Sequence, residues 1–509
     1  MNLAAVLLAR AGAEPKAPAL RTDDGRQGIV TYGDLDGRSA RLATLALGGL
    51  EPGTRVALVA GNSVAFVVAY LAVLRAGLIA VPLDPSAPAG ELGRALATVG
   101  AGLVLASEPH RAHPGLADRD VVALDAQGIV ATANLELPPA AIATVQPSDP
   151  AVLLFTSGTA GAPKPAILTH GSLGANLEQV QHHPGLALRA DDIGLGLLPF
   201  FHVFGLNVVL GLTLAAGASL VLIERFDPAG SLARVRDGRV TVVAGVPAVF
   251  GAWLDLSDDR APRDSFASVR LAVSGAAALA VDTADAMRVR FGVDVHEGYG
   301  LTEASPIVTT SAIGTTARAG SIGPPLPGVE VALKDVDGSD VLAGDPGEIW
   351  VRGPNVFAGY WNDPDASARV VDEQGWLHTG DLAVTDDDGW LRLVDRAKDL
   401  IIVSGFNVYP AEVEEALVEH PDVAEAAVVG VPDARSGEAV VAFVVPCAGA
   451  RPTATQLTAH LRKRLARYKL PTRIDFVDAL PHSFAGKVPR RALRELAGRA
   501  TDDATANPA

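Results

Sequence analysis

Apolar positions follow two rhythms along this 509-residue chain, and the change between them marks its parts. A strand-like run from Arg55 to Ala60 leads into a helical pattern begun at Asn62 and ended at Gly77. A short strand (Ile79 to Val81), a proline-marked turn, a second helical pattern and a strand at Leu103 to Leu105 complete the series. That alternation predicts βαβ units around a sheet buried on both faces. It resumes at Ala151 and passes through Leu195, Leu220, Val242 and Leu271, each an apolar strand pattern followed by a helical one. Between Ser321 and Val394 the helical period fades, and short strands alternate with turns such as D-V-D-G and D-D-D-G, which predicts a small β unit. From Asp395 the pattern is mixed, with helices expected near Pro410 to Glu419 and Thr455 to Tyr468 and strands near Ala426 to Val429 and Ala439 to Val445. The expected class is α/β. Residues 1–396 would form a large N-terminal domain of two doubly wound α/β subdomains plus the β unit, and residues 397–509 a small α+β C-terminal domain.

Composition narrows the partners. With 49% apolar and 20% charged residues, the chain reads as a large soluble globular protein. A net charge of -16 argues against a nucleic-acid partner, whose phosphates require dense Lys and Arg. The acidic excess lies before residue 397; beyond it acids and bases balance. Lysine is scarce, at seven positions, so each ammonium merits inspection. Cys447 is the single cysteine, which excludes an internal disulfide and a thiolate-rich metal site and fits a reducing cytoplasm. The segment Ile193 to Ile223 is long enough to span a bilayer, but Pro199, His202, Asn207 and five glycines break it into a strand, a loop, a helix and a strand, so no transmembrane segment is expected. The N-terminal run lacks a basic leader and reads as an amphipathic helix.

The densest chemistry is T-S-G-T-A-G-A-P-K, Thr156 to Lys164, directly after the apolar run Ala151 to Phe155. Gly158 and Gly161 let successive backbone N–H groups turn inward, while the hydroxyls of Thr156, Ser157 and Thr159 and the Lys164 ammonium converge on one small volume. Such a concavity suits a polyphosphate better than an ordinary surface turn, which does not need three hydroxyls and a lysine. A Walker loop is excluded, because Pro163 stands five residues after Gly158 where Gly-Lys-Ser/Thr should begin.

Four later segments join this loop: E-G-Y-G-L-T-E (Glu297 to Glu303), H-T-G-D (His378 to Asp381), D-R-A-K-D (Asp395 to Asp399) and A-G-K-V-P-R (Ala485 to Arg490). In this order and spacing the chain resembles the adenylate-forming superfamily of acyl-CoA synthetases, adenylation domains and luciferases. The resemblance covers nearly the whole chain. It implies two half-reactions: a carboxylate attacks the α-phosphate of ATP to give acyl-adenylate and pyrophosphate, and a thiol then takes the acyl group. By that resemblance the loop Thr156 to Lys164 would hold the β- and γ-phosphates, and Gly275, Ala276, Tyr299 and Gly300 would line the nucleotide, Tyr299 stacking on adenine unless it is a plain core aromatic. Thr302 would donate to the α-phosphate. Magnesium takes one or two hard oxygen ligands from protein beside the phosphates, which suits Glu303 with Thr156. Asp381 would accept the two ribose hydroxyls, with Arg396 as a ribose or Asp381 partner. Lys487 would reach between the attacking carboxylate and the α-phosphate and cancel their repulsion. Lys398 falls at the hinge of a mobile C-terminal domain, and Gly405 would line the pantetheine path of coenzyme A. R-K-R-L-A-R-Y-K (Arg462 to Lys469) is a candidate rim for the coenzyme's phosphates, or a solvated helix face.

The acid is read from the pocket segments. Peptide-synthetase adenylation domains place an Asp where this chain has His202, so an amino-acid ammonium would lose its counter-ion. His202 either guards the carboxylate entrance or is a satisfied core histidine. Phe204 to Leu206, Gly245 to Phe250 and Ser274 to Ala278 are apolar, and the small side chains of A-A-A (Ala276 to Ala278) leave depth for an aliphatic tail, which favours a medium- or long-chain fatty acid; aryl and short acids stay open. Two departures stand out: Pro165 replaces the usual Gly after the loop lysine and removes a backbone donor, and Ala485 replaces a Ser. The alternatives are an acyl-AMP ligase loading an acyl carrier protein and a non-catalytic nucleotide-binding relative.

Overall fold

A computed structural model describes residues 1–22, 28–130, 139–156, 163–314, 317–335, 337–396, 399, 401–403, 406–433, 437–465, 467–482, 488, 490 and 492–497. By compactness the chain divides into one unit of Met1–Val331 and Val351–His378 and a second of Ala332–Trp350 and Thr379–Ala509.

The first unit holds two large sheets. One has six strands in the order Val121–Leu124, Leu103–Ser107, Arg55–Val59, Ile79–Leu83, Pro150–Thr156 and Lys164–Thr169. The other has eight, in the order Ile307–Thr310, Val295–Gly300, Leu271–Ser274, Val242–Gly245, Ile193–Gly196, Ser219–Leu222, Pro18–Arg21 and Ile29–Thr31. The inner pairings are parallel, as the apolar runs require; antiparallel strands close both edges of the eight-stranded sheet and the Lys164–Thr169 edge of the other, whose far edge, Val121–Leu124, is parallel. Helix Val64–Arg75 follows the first βα turn and is buried on every face, which accounts for its uniformly apolar sequence. Ser63 caps it by accepting from the Phe66 N–H. Asn62, expected to begin this helix, instead reaches across to the other sheet's strand exit. Its amide donates to the carbonyls of Gly196 (3.0 Å) and Leu198 (2.8 Å) and accepts from the Phe200 N–H (3.0 Å).

Two expectations are refined. The next described element after Thr156 is not a helix but the antiparallel strand Lys164–Thr169, with Thr156 opposite Lys164, and helix His170–Gln181 follows it. Ile193 to Ile223 resolves into strand Ile193–Gly196, a helical stretch from Phe204 to Ala215 and strand Ser219–Leu222. Among the described residues no helix is long and apolar enough to cross a membrane.

The expected β unit is a four-stranded sheet of Glu330–Lys334, Gly347–Arg352, Leu377–Thr385 and Leu391–Arg396 in sequential order. Beyond it, Val423–Asp433 pairs antiparallel with Gly437–Pro446 and Arg473–Phe476 adds in parallel. Helices Pro410–Val418 and Ala454–Leu461 cover this sheet through Val413, Leu417, Leu457 and Leu461. The second predicted helix stops at Leu461, seven residues short of Tyr468, and Arg467–Lys469 forms a separate short turn.

Candidate functional site

In the eight-stranded sheet, the strands ending at Gly196, Gly245, Ser274 and Gly300 are neighbours, so the segments leaving their carboxyl ends gather at one edge. Ligands of open α/β sheets bind at such edges. The three pocket segments do meet there. Gly275 donates its N–H to the Gly245 carbonyl (3.1 Å), and a Cβ at Gly275 would lie 3.1 Å from the Phe204 ring. Ala276 takes the left-handed conformation (φ 69°), a strained choice for a residue with a Cβ. Glu297 fixes this turn from the next strand. Its buried carboxylate accepts from the N–H of Leu279 (3.1 Å) and of Gly320 (2.9 Å). The sequence quotes Glu297 inside a motif, but nothing local shows that it braces two remote loops.

Tyr299 is buried in strand Val295–Gly300. At Gly300 the returning chain comes so close that a Cβ would stand 2.0 Å from the Pro306 carbonyl oxygen, so only glycine fits. The next turn, Thr302–Ala304, carries the half-buried Thr302 and Glu303. This turn is gripped from several sides. The Asn207 amide donates to the Ser305 carbonyl (2.8 Å), and Asn176 both donates to the Ile307 carbonyl (2.8 Å) and accepts from its N–H (3.2 Å). Asn355 donates to the Ala304 carbonyl (2.9 Å), and the Phe357 N–H donates to the Glu303 carbonyl (2.8 Å). The Tyr360 hydroxyl donates to Glu303 Oε1 (2.8 Å), so Glu303 is not a solvated loop carboxylate. Burial, with the Glu303 charge beside it, pushes the Tyr360 phenol far above its usual range and keeps it a neutral donor.

Lys164 and Thr156 face each other at the base of the glycine-rich loop. Thr156 is buried, its hydroxyl 3.5 Å from the Lys164 carbonyl. The Lys164 ammonium pairs with Asp363 Oδ2 at 2.5 Å and lies 5.7 Å from the Tyr360 ring centroid. Lys164 in turn holds the Asp363 carboxyl below the ordinary range, helped by the Ala366 N–H that Asp363 caps through Oδ1. Neither Tyr360 nor Asp363 was singled out in the sequence; the only local signal was N-D-P (Asn362 to Pro364), a helix-start pattern.

In the second unit, Asp381 and Arg396 are direct partners in the antiparallel pairing of Leu377–Thr385 with Leu391–Arg396. The Asp381 N–H is held by the Thr379 hydroxyl (3.1 Å), and the Gly380 N–H by Glu348 Oε1 (2.8 Å). His202 is exposed, its ring 4.8 Å from that of Phe201, which removes the core alternative. Ser157, Gly158, Thr159, Gly161, Lys398, Gly405 and Lys487 lie outside the described residues.

A clamped carboxylate beyond the eight-stranded sheet, a hydroxyl and a lysine at the base of the glycine loop of the six-stranded sheet, and a further α+β sheet are the features of an adenylate-forming enzyme. The chain belongs to the AMP-binding enzyme family: the family model matches residues 7–361, and that of the AMP-binding enzyme C-terminal domain matches residues 412–487. It is 37% identical to a long-chain-fatty-acid–CoA ligase of Yersinia pestis, over 92% of this chain and 90% of that one. It is 38% identical to a feruloyl-CoA synthase of Amycolatopsis sp, over 96% and 98%. Among solved structures, ATP-bound MatB from Rhodopseudomonas palustris superposes with a TM-score of 0.88 at 34% identity, over 97% of this chain and 99% of that one. The protein is thus an ATP-dependent acid–CoA ligase that uses ATP, magnesium and coenzyme A.

Proposed function

We propose that the acid activated is a medium- or long-chain fatty acid. The observation that carries this reading is the approach of the Phe204 ring to Gly275 and of the Phe250 ring to Gly245, each 3.1 Å from where a Cβ would stand, at the place where these two glycines are hydrogen-bonded, so that the pocket segments meet through apolar groups. An apolar lining rewards each methylene removed from water, by about 0.8 kcal/mol when fully buried. One feature favours an aryl acid instead. The Ser274 hydroxyl is buried and has no hydrogen-bond partner among the described residues, so it could take a ring substituent. A competition assay decides between them: with Mg-ATP and coenzyme A, dodecanoate should outcompete ferulate for thioester formation. Preference for ferulate would overturn the fatty-acid reading in favour of the aryl one.

The fit of the protein to magnesium rests on donor chemistry: Glu303 supplies a half-buried carboxylate and Thr156 a hydroxyl, both hard oxygens. Bound there, the ion would neutralise charge on the phosphates. In our reading the loop Thr156 to Lys164 cradles the β- and γ-phosphates and Thr302 donates to the α-phosphate. Tyr299 stacks on adenine, Asp381 with Arg396 orients the ribose, and His202 stands at the carboxylate entrance. Lys487 screens the repulsion between the acid and the α-phosphate as the bond forms, and pyrophosphate leaves. Removing Lys487, by rotation of residues 397–509 about Lys398, opens the path past Gly405 for the coenzyme A thiol. The free thiol of coenzyme A, rather than an acyl carrier protein, is the proposed acceptor.

A further inference from the structure

Residues 355–363, N-V-F-A-G-Y-W-N-D, form a strap against the return strand of the glycine-loop hairpin. Ile167 donates to the Gly359 carbonyl (2.9 Å), Ala358 to that of Ile167 (3.0 Å), and Trp361 to that of Pro165 (2.8 Å). Tyr360 stands opposite Ala166 as a bridge partner. The strap is anchored in depth, because Trp361 packs with Phe155 and Ile167 on the core of the six-stranded sheet. It is also sharply bent. Gly359 has φ 119°, and a Cβ there would meet the Ser367 hydroxyl at 2.7 Å, the same hydroxyl that accepts from the Tyr360 N–H (2.8 Å).

From this one strap, two side chains reach the two charged groups of the phosphate site. Tyr360 takes hold of Glu303, and Asp363 of Lys164, while Asn355 grips the carbonyl next to Glu303. We propose that Tyr360 is a positioning residue for the magnesium carboxylate Glu303, and that the 355–363 strap sets the spacing between that carboxylate and the Lys164 ammonium. This rests on Glu303 being the metal carboxylate. A phenol that donates to Oε1 fixes the rotation of the carboxylate and spares the ion the cost of ordering it. Outer groups of this kind are worth roughly 10- to 100-fold in metal affinity. Pro165 fits the same picture: its carbonyl receives the strap, and its ring stiffens the strand beside Lys164.

The test is calorimetric binding of ATP, with magnesium and with excess EDTA, to the full-length wild type, Y360F, E303A and the double variant. Thermal unfolding of each is recorded in parallel. Y360F should weaken Mg-ATP binding about tenfold, leave ATP binding in EDTA unchanged and shift unfolding little, since only one hydroxyl is lost. In E303A, adding Y360F should weaken Mg-ATP no further. Wild-type Mg-ATP affinity in Y360F, equal weakening with and without magnesium, or additive loss in the double variant would overturn the proposal. A separate failure is visible too: if E303A binds Mg-ATP like the wild type, Glu303 is not the metal carboxylate.

Discussion

The two carboxylates that we propose serve ATP are held in contrasting ways. Glu303 sits on a short turn gripped by Asn176, Asn207, Asn355, Phe357 and Tyr360, side chains and backbone drawn from three remote stretches of sequence. Asp381 sits on a strand hairpin, opposite Arg396, and its surroundings are supplied by Thr379, Gly380 and the neighbouring strand residue Glu348. The difference is physical. A turn has no ladder of its own, so its backbone groups must be paired one by one, and buried amides can do so because each offers both donors and an acceptor. A strand position inherits its geometry from the ladder. The first arrangement couples the site to the stability of the core; the second separates them.

Asn176→Ala should break the first arrangement most severely. It removes the two hydrogen bonds that Asn176 makes with the half-buried Ile307 backbone, at about 2–4 kcal/mol of unfolding free energy. Urea unfolding should show that loss together with slower pyrophosphate release. Acid should loosen the same clamp by a different route. Helix His170–Gln181, which carries Asn176, begins at His170, and this ring is buried with Nδ1 accepting from the Leu3 N–H at 3.1 Å. Burial lowers the ring's folded-state pKa to about 4 from the ordinary 6.5. The unfolded chain therefore binds the proton first as pH falls, so stability is fully present above pH 6.5 and is lost from there down to about 4. The total is on the order of 3 kcal/mol. Urea titrations at pH 7.5 and 5 should show most of that loss, and His170→Gln should flatten it. Asp381→Asn should have the smallest effect and the most selective one. ATP affinity should fall roughly tenfold, about 1.4 kcal/mol, while unfolding moves by less than about 0.5 kcal/mol. Equal stability losses in Asn176→Ala and Asp381→Asn would erase the contrast.

The same distinction explains what was readable from the chain. Parallel strands announced themselves as apolar runs, and the C-terminal sheet appeared within a few residues of its expected place, because both rest on local period. The pairing of Asp381 with Arg396 was close at hand, since a turn of D-D-D-G between two short strands brings H-T-G-D against D-R. Glu303's turn was recognisable as a motif, yet its clamp was not. Asn176, Asn207 and Asn355 look like ordinary polar residues until tertiary packing buries them. Tyr360 and Asp363 were missed for a related reason: their partners Glu303 and Lys164 are far away in sequence, and no period links them.

The most direct test of the central claim is a rapid-quench experiment with Mg-ATP and dodecanoate, first without and then with coenzyme A, on wild type and Lys487→Ala. The wild type should accumulate enzyme-bound acyl-adenylate with release of one pyrophosphate, and coenzyme A should convert it to acyl-CoA and AMP. Lys487→Ala should bind ATP but form adenylate about 10²- to 10³-fold more slowly. Formation of ADP and phosphate instead of AMP and pyrophosphate, or an undiminished rate in Lys487→Ala, would contradict the account.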